Sequence, residues 1–323
     1  MISFREMKEK NYIPPRPMLL MMVKGAISLS KVLLFNLRTL KKTRYKATYI
    51  RPERRYELPE YQPWMKCYAR NEKYLRDTLY VKPCAKEIVA LANQLGAGEK
   101  DDYEFARDAF EFVKRNLFLE FIQLDDAVAT LKRGSGTCLH MLNLYVALCR
   151  AAGIKARYKL YALSMIDAWY NALVAVDPLM KKWYDAMGFF TLHGEAEVYI
   201  DGKWYPADVA PTPERQAAAG IPITKFGEDS IGVWTYALPG SILRLESLPY
   251  GIGGSLKLLL KIAPGTVATI NNSILRQIEE GRRIIQEAGG EKAYDEMVRK
   301  KKKKPVVELK EKEGLIFKYD EIK

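Results

Sequence analysis

The stretch RGSGTCLHML, Arg133–Leu142, sets two glycines, a serine and a threonine directly before a cysteine, with an apolar run behind it. The apolar positions beyond it keep helical spacing, which predicts a helix from Thr137 to about Ala152 closed by Gly153 at its C-cap. Cys138 then lies at the seam between a glycine loop, where backbone and substrate can approach closely, and the first turn of a buried helix. A helix N-terminus carries about half a positive charge and several unpaired N–H groups. These stabilise a thiolate and can hold an oxyanion, so the seam suits a nucleophile, with Gly136 and Thr137 as candidate contacts to the substrate. The competing reading is a small apolar side chain that only packs. Cys149 is eleven residues on, about 16 Å away on the same helix face, and reads as core.

Working outward, CAKEIVALANQLGAG, DDYEFARDAFEFVKRN and DDAVATLKRG predict three helices that lead into the cysteine helix. From Lys155 the apolar period shifts towards two, which predicts strands. Residues 166–191 are aromatic-rich, interrupt that pattern and read as an insertion or lid. HGEAEVYIDGKWYPADVAP reads as a hairpin around Asp201-Gly202. If those two residues form the turn, Ile200 faces Lys203, Val198 faces Tyr205 and Glu195 faces Asp208. His193, Glu195, Asp208 and Ala210 then share one face of the sheet, with His193 and Asp208 diagonal neighbours. A slip of one residue would move Asp208 to the other face.

A thiolate that attacks carbonyls needs a base and a group that orients the base. Only two histidines exist, His140 and His193. His140 is two residues from Cys138 on one helix, where side chains do not face each other, so it reads as a packing or surface residue. His193 with Asp208 fits the base and its orienter.

These segments resemble the transglutaminase-like superfamily of papain-type cysteine enzymes over roughly residues 80–215. The matching positions are Gly136, Cys138, Arg150, Ala151, Gly153, Ile154, Ala156, Arg157, His193, Glu197, Val198, Gly202, Trp204 and Asp208. The resemblance implies an α+β fold with the catalytic helix packed on an antiparallel sheet; the N-terminal 60 residues and the tail have no counterpart in it and read as helical extensions. It implies Cys138 as nucleophile, His193 as general base and acid, and Asp208 as the orienting carboxylate. The implied reaction is acyl transfer through a thioester on a peptide or protein amide, with no cofactor. Water as acceptor makes a peptidase or amidase, which is favoured because water needs no second site; a lysine would make a cross-linking transglutaminase. Zinc-bearing glycopeptide amidases of the family carry cysteine pairs that this sequence lacks. Glu195 stands where many members have an aromatic residue; its charge would favour a basic substrate or raise the His193 pKa. Gln123 is a weak side-chain candidate for the oxyanion site, and Trp204 a candidate substrate contact.

The remainder of the chain bounds partners rather than chemistry. Its 323 residues carry a formal charge of +13, and residues 1–60 hold fourteen Lys/Arg against five Asp/Glu. That balance favours an anionic surface or a larger assembly, without a specific nucleic-acid motif. Met18–Leu40 reads as an amphipathic helix with Lys24, Lys31 and Arg38 in one stripe. It would pack on its own domain or lie on a membrane surface. A non-catalytic scaffold working through basic termini is the alternative to the enzyme. No signal peptide is read at the start. No Cys-x-x-Cys pair and only two histidines argue against metal. Four cysteines do not make a disulfide framework, which reads as a reducing, cytoplasmic setting. The expected organisation is a basic extension over 1–60, a catalytic domain over 61–240, and a helical extension over 241–323 with a six-cation run at 299–304 and a terminal hairpin.

Overall fold

The computed structural model of the protein describes residues 3–301 apart from 189, 232, 236 and 239. The terminal hairpin expected after Pro305 and the end of the six-cation run lie outside the described residues. Three helices open the chain: α1 (Phe4–Glu9), α2 (Arg16–Phe35) and α3 (Leu37–Thr43). Residues 46–85 form neither helix nor strand, as the prolines and charges of YIRPERRYELPEYQPW imply. Then follow α4 (Lys86–Gln94), α5 (Asp102–Asn116), β1 (Phe118–Leu119), α6 (Ala127–Arg133), β2 (Ser135–Gly136) and α7 (Cys138–Ala151). Asp101 and Asp126 cap α5 and α6 with their side chains, and Gly134 ends α6 in the left-handed conformation.

The fold is α+β. Helix α7 is buried from Leu139 to Ala151 along its whole length. It packs against α4, α5 and α6 on one side and against the sheet on the other. The sheet is antiparallel, ordered β5-β4-β3-β6, from β3 (Lys155–Leu163), β4 (Thr191–Ile200), β5 (Lys203–Ala207) and β6 (Leu243–Leu245). Arg150, fully buried on α7, fastens helix to sheet by donating to the carbonyls of Ala156, Arg76 and Glu246.

The hairpin has the register worked out from its turn. Ile200 pairs with Lys203, Val198 with Tyr205 and Ala196 with Ala207. Asp201 and Gly202 have φ of 48° and 81°, the positive values that a tight primed turn demands. Between β3 and β4, the aromatic insertion forms two helices, α8 (Asp167–Leu173) and α9 (Pro178–Met187). After β5 come α10 (Pro213–Ala218), then, beyond β6, α11 (Gly254–Ile262), α12 (Pro264–Glu287) and α13 (Glu291–Lys300).

Both extensions join the central core. Met18, Met21, Leu29, Val32 and Leu33 of α2 and Ile270, Ile274 and Ile278 of α12 belong to the same buried cluster as α7. Helix α2 lies along α9 and α11, and α10 and α8 lie along α12. Helix α2 is long and apolar enough to cross a membrane by length and composition, but one face of it is buried in the protein. Its other face leaves Leu19, Leu20, Val23, Ile27, Leu34 and Phe35 exposed.

Cys67 and Cys84 form a disulfide, with Cα atoms 5.5 Å apart, leaving Cys138 and Cys149 free. The inference to a reducing compartment assumed unpaired thiols, and this bond removes the premise for two of the four. The signal that sequence reading missed is the 17-residue spacing inside a stretch without helix or strand.

Candidate active site

Three elements converge on Cys138. Strand β2 brings the chain in beside β1, with Leu119 against Gly136, and delivers it straight into α7. Gly136 is required there because a Cβ would stand 2.4 Å from His140 Cβ. Thr137 caps α7, and its hydroxyl and backbone N–H both meet His140 Nδ1, at 2.9 and 3.0 Å. His140 Nε2 lies 3.1 Å from the Gln123 carbonyl. With Nδ1 accepting and Nε2 donating, His140 is a neutral, fully buried capping residue, and burial lowers its pKa to about 4. It therefore holds the loop that presents Cys138 and has no part in proton transfer.

Strand β4 supplies His193, and the residues just past β5 supply Asp208. His193 Nε2 lies 3.3 Å from Asp208 Oδ2. Cys138 lines the same cavity wall as the imidazole and acts on its charge. Burial disfavours the imidazolium, but Asp208 and Cys138 together overcome it and raise the His193 pKa to about 10. Asp208 is fully buried; burial works against its charge, but His193, Lys114 and Ser230 hold its pKa below the ordinary carboxylate value. Tyr161 and Trp234 pack edge-on to the His193 ring at 5.4 and 5.9 Å between centroids, which fixes its plane.

Several residues that support this arrangement were not legible beforehand. Ser230 donates to Asp208 Oδ2 at 2.6 Å, and the Ala210 N–H donates to Oδ1 at 3.3 Å. Lys114, buried on α5, donates to the Pro211 carbonyl at 2.7 Å, pinning the turn just after Asp208; burial lowers its pKa to about 8. Ser230 and Trp234 come from an irregular segment without periodicity. Lys114 sits on a helix whose amphipathic pattern gives no hint that one lysine points inward.

The other sequence candidates fall apart spatially. Thr137 lines the cavity at Cys138. Glu195 is buried behind the triad, where Lys159 Nζ lies 2.6 Å from its Oε1, off the direction of a good hydrogen bond. Burial, then the Asp208 charge, raise the Glu195 pKa to about 8, while Lys159 opposes them. Lys159 also binds Asp229, next to Ser230, so the Glu195–Lys159–Asp229 chain ties the Ser230 loop to the sheet. Glu195 is thus a support rather than a face towards a basic substrate. Gln123 is exposed and contributes its carbonyl to His140, so its side chain is not placed at the oxyanion. Trp204 lies under the Arg157 guanidinium at 3.7 Å and beside Tyr74, away from the cavity lining.

Cys138 and His193 open into a cavity of about 500 Å³. Its walls come from α2, α9, the loop after β1, the segment before α11, and α8 and α10. Among the described residues, no group of His, Cys, Asp and Glu is placed to hold a metal ion.

The combination of a buried helix headed by cysteine, an antiparallel sheet carrying histidine, and an adjoining aspartate defines the class. Residues 89–209 match the family model of the transglutaminase-like superfamily, and this segment is a transglutaminase-like core. The chain is also similar to a solved chain from Cytophaga hutchinsonii, described as a "putative cysteine protease". That similarity is at 19% identity and a TM-score of 0.33, over 42% of this chain and 40% of the other, so it spans less than half the length of that structure. No curated protein matches this chain.

Proposed function

We propose that the protein is a cysteine-dependent amide hydrolase that works through an acyl-enzyme on Cys138. The observation that supports this most is the His193 imidazole held between Asp208 and Cys138 at the wall of a substrate-sized cavity. The Cys138 thiolate attacks the amide carbon, and a C–S bond forms as the carbonyl electrons move to oxygen. Among the described residues, the N–H groups of Cys138 and Leu139 at the start of α7 bond to no backbone carbonyl outside the helix, so they are the candidate donors to that oxyanion. The His193 imidazolium passes its proton to the leaving nitrogen, the C–N bond breaks, and a thioester remains. Water then attacks, His193 takes its proton, and collapse releases the acid and Cys138. An amine in place of water would give transamidation. Hydrolysis is preferred because it needs no further binding site.

The test uses hydrophobic peptide p-nitroanilides with and without a primary amine, monodansylcadaverine. The expected result is nitroaniline release with a mass adduct on Cys138, the acid as main product, and loss of both in Cys138→Ala. Release that persists in Cys138→Ala would sink the reading. A dansylated main product would move the protein to the acyltransferases.

For the partner surface, one observation favours an anionic membrane. Leu19 and Val23 are exposed on α2 and also line the cavity, so the cavity reaches the surface beside an apolar helix face. Lys31 and Arg38 are exposed along the same helical region. Vesicles rich in phosphatidylserine are expected to carry the protein in flotation, and Leu20→Glu with Ile27→Glu to abolish it. Equal flotation of wild type and variant would exclude this contact.

A further inference from the structure

Arg215 is a buried charge without an ion pair among the described residues. It sits on α10, is only 3% exposed, and lines the same cavity as Cys138 and His193. Its Nε reaches Gln277 Oε1 at 3.4 Å, and its guanidinium lies 5.1 Å from the centre of the Trp169 ring. Its Nη2 has no hydrogen-bond partner, and among the described residues no carboxylate lies within ion-pair distance of it. Asp208, a carboxylate whose charge acts on Arg215, is already occupied by His193, Ser230 and the Ala210 N–H. A buried guanidinium is costly unless an anion meets it, and a planar fork of N–H groups fits a carboxylate in particular.

The remaining walls of the cavity are apolar, with Met22, Met165, Leu173, Trp183, Phe190 and Leu192 among them. An anion small enough to be fully hydrated gains nothing from such walls. An apolar body that carries one carboxylate satisfies both the walls and the cation. We infer that Arg215 is a recognition site for a carboxylate borne on the apolar, acyl-side part of the substrate, seated in the cavity beside Cys138. This rests on the amide-hydrolase reading for its catalytic meaning, but the binding site itself does not require the thiol.

Three alternatives make different demands on the same residue. If Arg215 served only to stabilise the Cys138 thiolate, its loss would slow neutral and anionic reagents alike. If it served only to pack α10 on α12, a methionine of similar length would change neither binding nor reactivity. If it reads a carboxylate, only anionic ligands lose.

Two measurements separate these cases. The first is binding of decanoate and of 1-decanol, a neutral counterpart, followed by the fluorescence of Trp169 and Trp183 in the cavity wall. Wild type and Cys138→Ala are expected to bind decanoate at least about tenfold more tightly than decanol, the size of one charge-assisted contact. Arg215→Met is expected to lose most of that preference, the His193 imidazolium keeping a remainder, while its affinity for decanol holds, and Arg215→Lys to retain more of it. The second is alkylation of Cys138 by iodoacetate against iodoacetamide. The His193 imidazolium also attracts iodoacetate, so the readout is the change in the rate ratio between variants. Arg215→Met is expected to lower that ratio about fivefold or more, with the iodoacetamide rate held.

Equal affinity of wild type for decanoate and decanol would overturn the inference. So would a preference that survives undiminished in Arg215→Met, or an equal slowing of both alkylating agents. Should Arg215→Met fail to fold, Arg215→Lys with a decanoate preference unchanged from wild type and no change in the rate ratio would also overturn it. Slow alkylation of Cys138 by both reagents in wild type would count against the hydrolase alone, because decanoate selectivity in Cys138→Ala would still uphold the carboxylate site.

Discussion

At pH 6, Cys138 is expected to react with iodoacetamide at least about tenfold faster than a free model thiol, and His193→Ala to remove that lead. An ordinary thiol near pKa 8.5 is roughly one part in three hundred thiolate at pH 6. A thiolate paired with an imidazolium is held in the reactive form, although its intrinsic nucleophilicity is lower, which trims the advantage to about 10–100-fold. His193 has its pKa raised to about 10 in the fold, against burial, by Asp208 and Cys138. The imidazolium therefore persists through the neutral range, so its assistance to Cys138 is expected at each pH from 6 to 9. In His193→Ala the rate should climb with pH as an unassisted thiol does. Cys149 is the internal control, being fully buried with its pKa pushed up to about 12 by burial. The Cys67–Cys84 disulfide takes the remaining two cysteines out of the labelling pattern. Identical profiles for wild type and His193→Ala would show that no such pair exists.

The sequence carried the fold where local rules are strict. A two-residue turn at Asp201-Gly202 sets the register, and the register sets which face each side chain takes, so the approach of Asp208 to His193 followed from counting. The cysteine helix was legible for the same reason, because one apolar run bounded by glycines permits few other structures. The role of His140 was legible only as an exclusion. That it caps α7 through Thr137 depends on how β2 turns into the helix, which no periodicity reports.

What stayed hidden depends on contacts between distant segments. Ser230 reaches Asp208 and Trp234 packs on His193 from an irregular loop placed by Lys159 and Asp229, and Arg215 enters the cavity from a six-residue helix held by α12. A basic residue on a short helix ordinarily points to water, and only the packing of α10 on α12 turns this one inward. Sequence reading placed α2 between two fates, its own domain or a membrane surface. The structure shows one face buried against α9 and α11 and the other face apolar and exposed.

Asp208→Asn is expected to cost about 10³-fold or more in turnover and to change how stability depends on pH. The carboxylate accepts from three donors: His193 and Ser230 at Oδ2 and the Ala210 N–H at Oδ1. An asparagine offers one acceptor end and one donor end, so either Ala210 or the His193–Ser230 pair meets a donor facing a donor. It also withdraws the charge that stabilises the imidazolium, and loss of this orienting carboxylate in comparable triads costs about 10⁴-fold. The signs for stability follow from the two partners. The Asp208 pKa is lowered from 3.8, so its contribution is present above about pH 4 and lost as pH falls below that. The His193 pKa is raised from 6.5 to about 10, so its contribution is whole below about pH 6.5 and lost as pH climbs to 10. The pair therefore stabilises the fold fully between about pH 4 and 6.5. In that window, breaking this buried pair is expected to cost about 3 kcal/mol, and the difference between wild type and Asp208→Asn should shrink towards pH 10 as the imidazole becomes neutral. Urea unfolding at pH 5.5 and pH 10 measures both ends. A stability difference that is the same at the two pH values would mean that Asp208 supports the fold through its backbone contacts and not through the charge of His193.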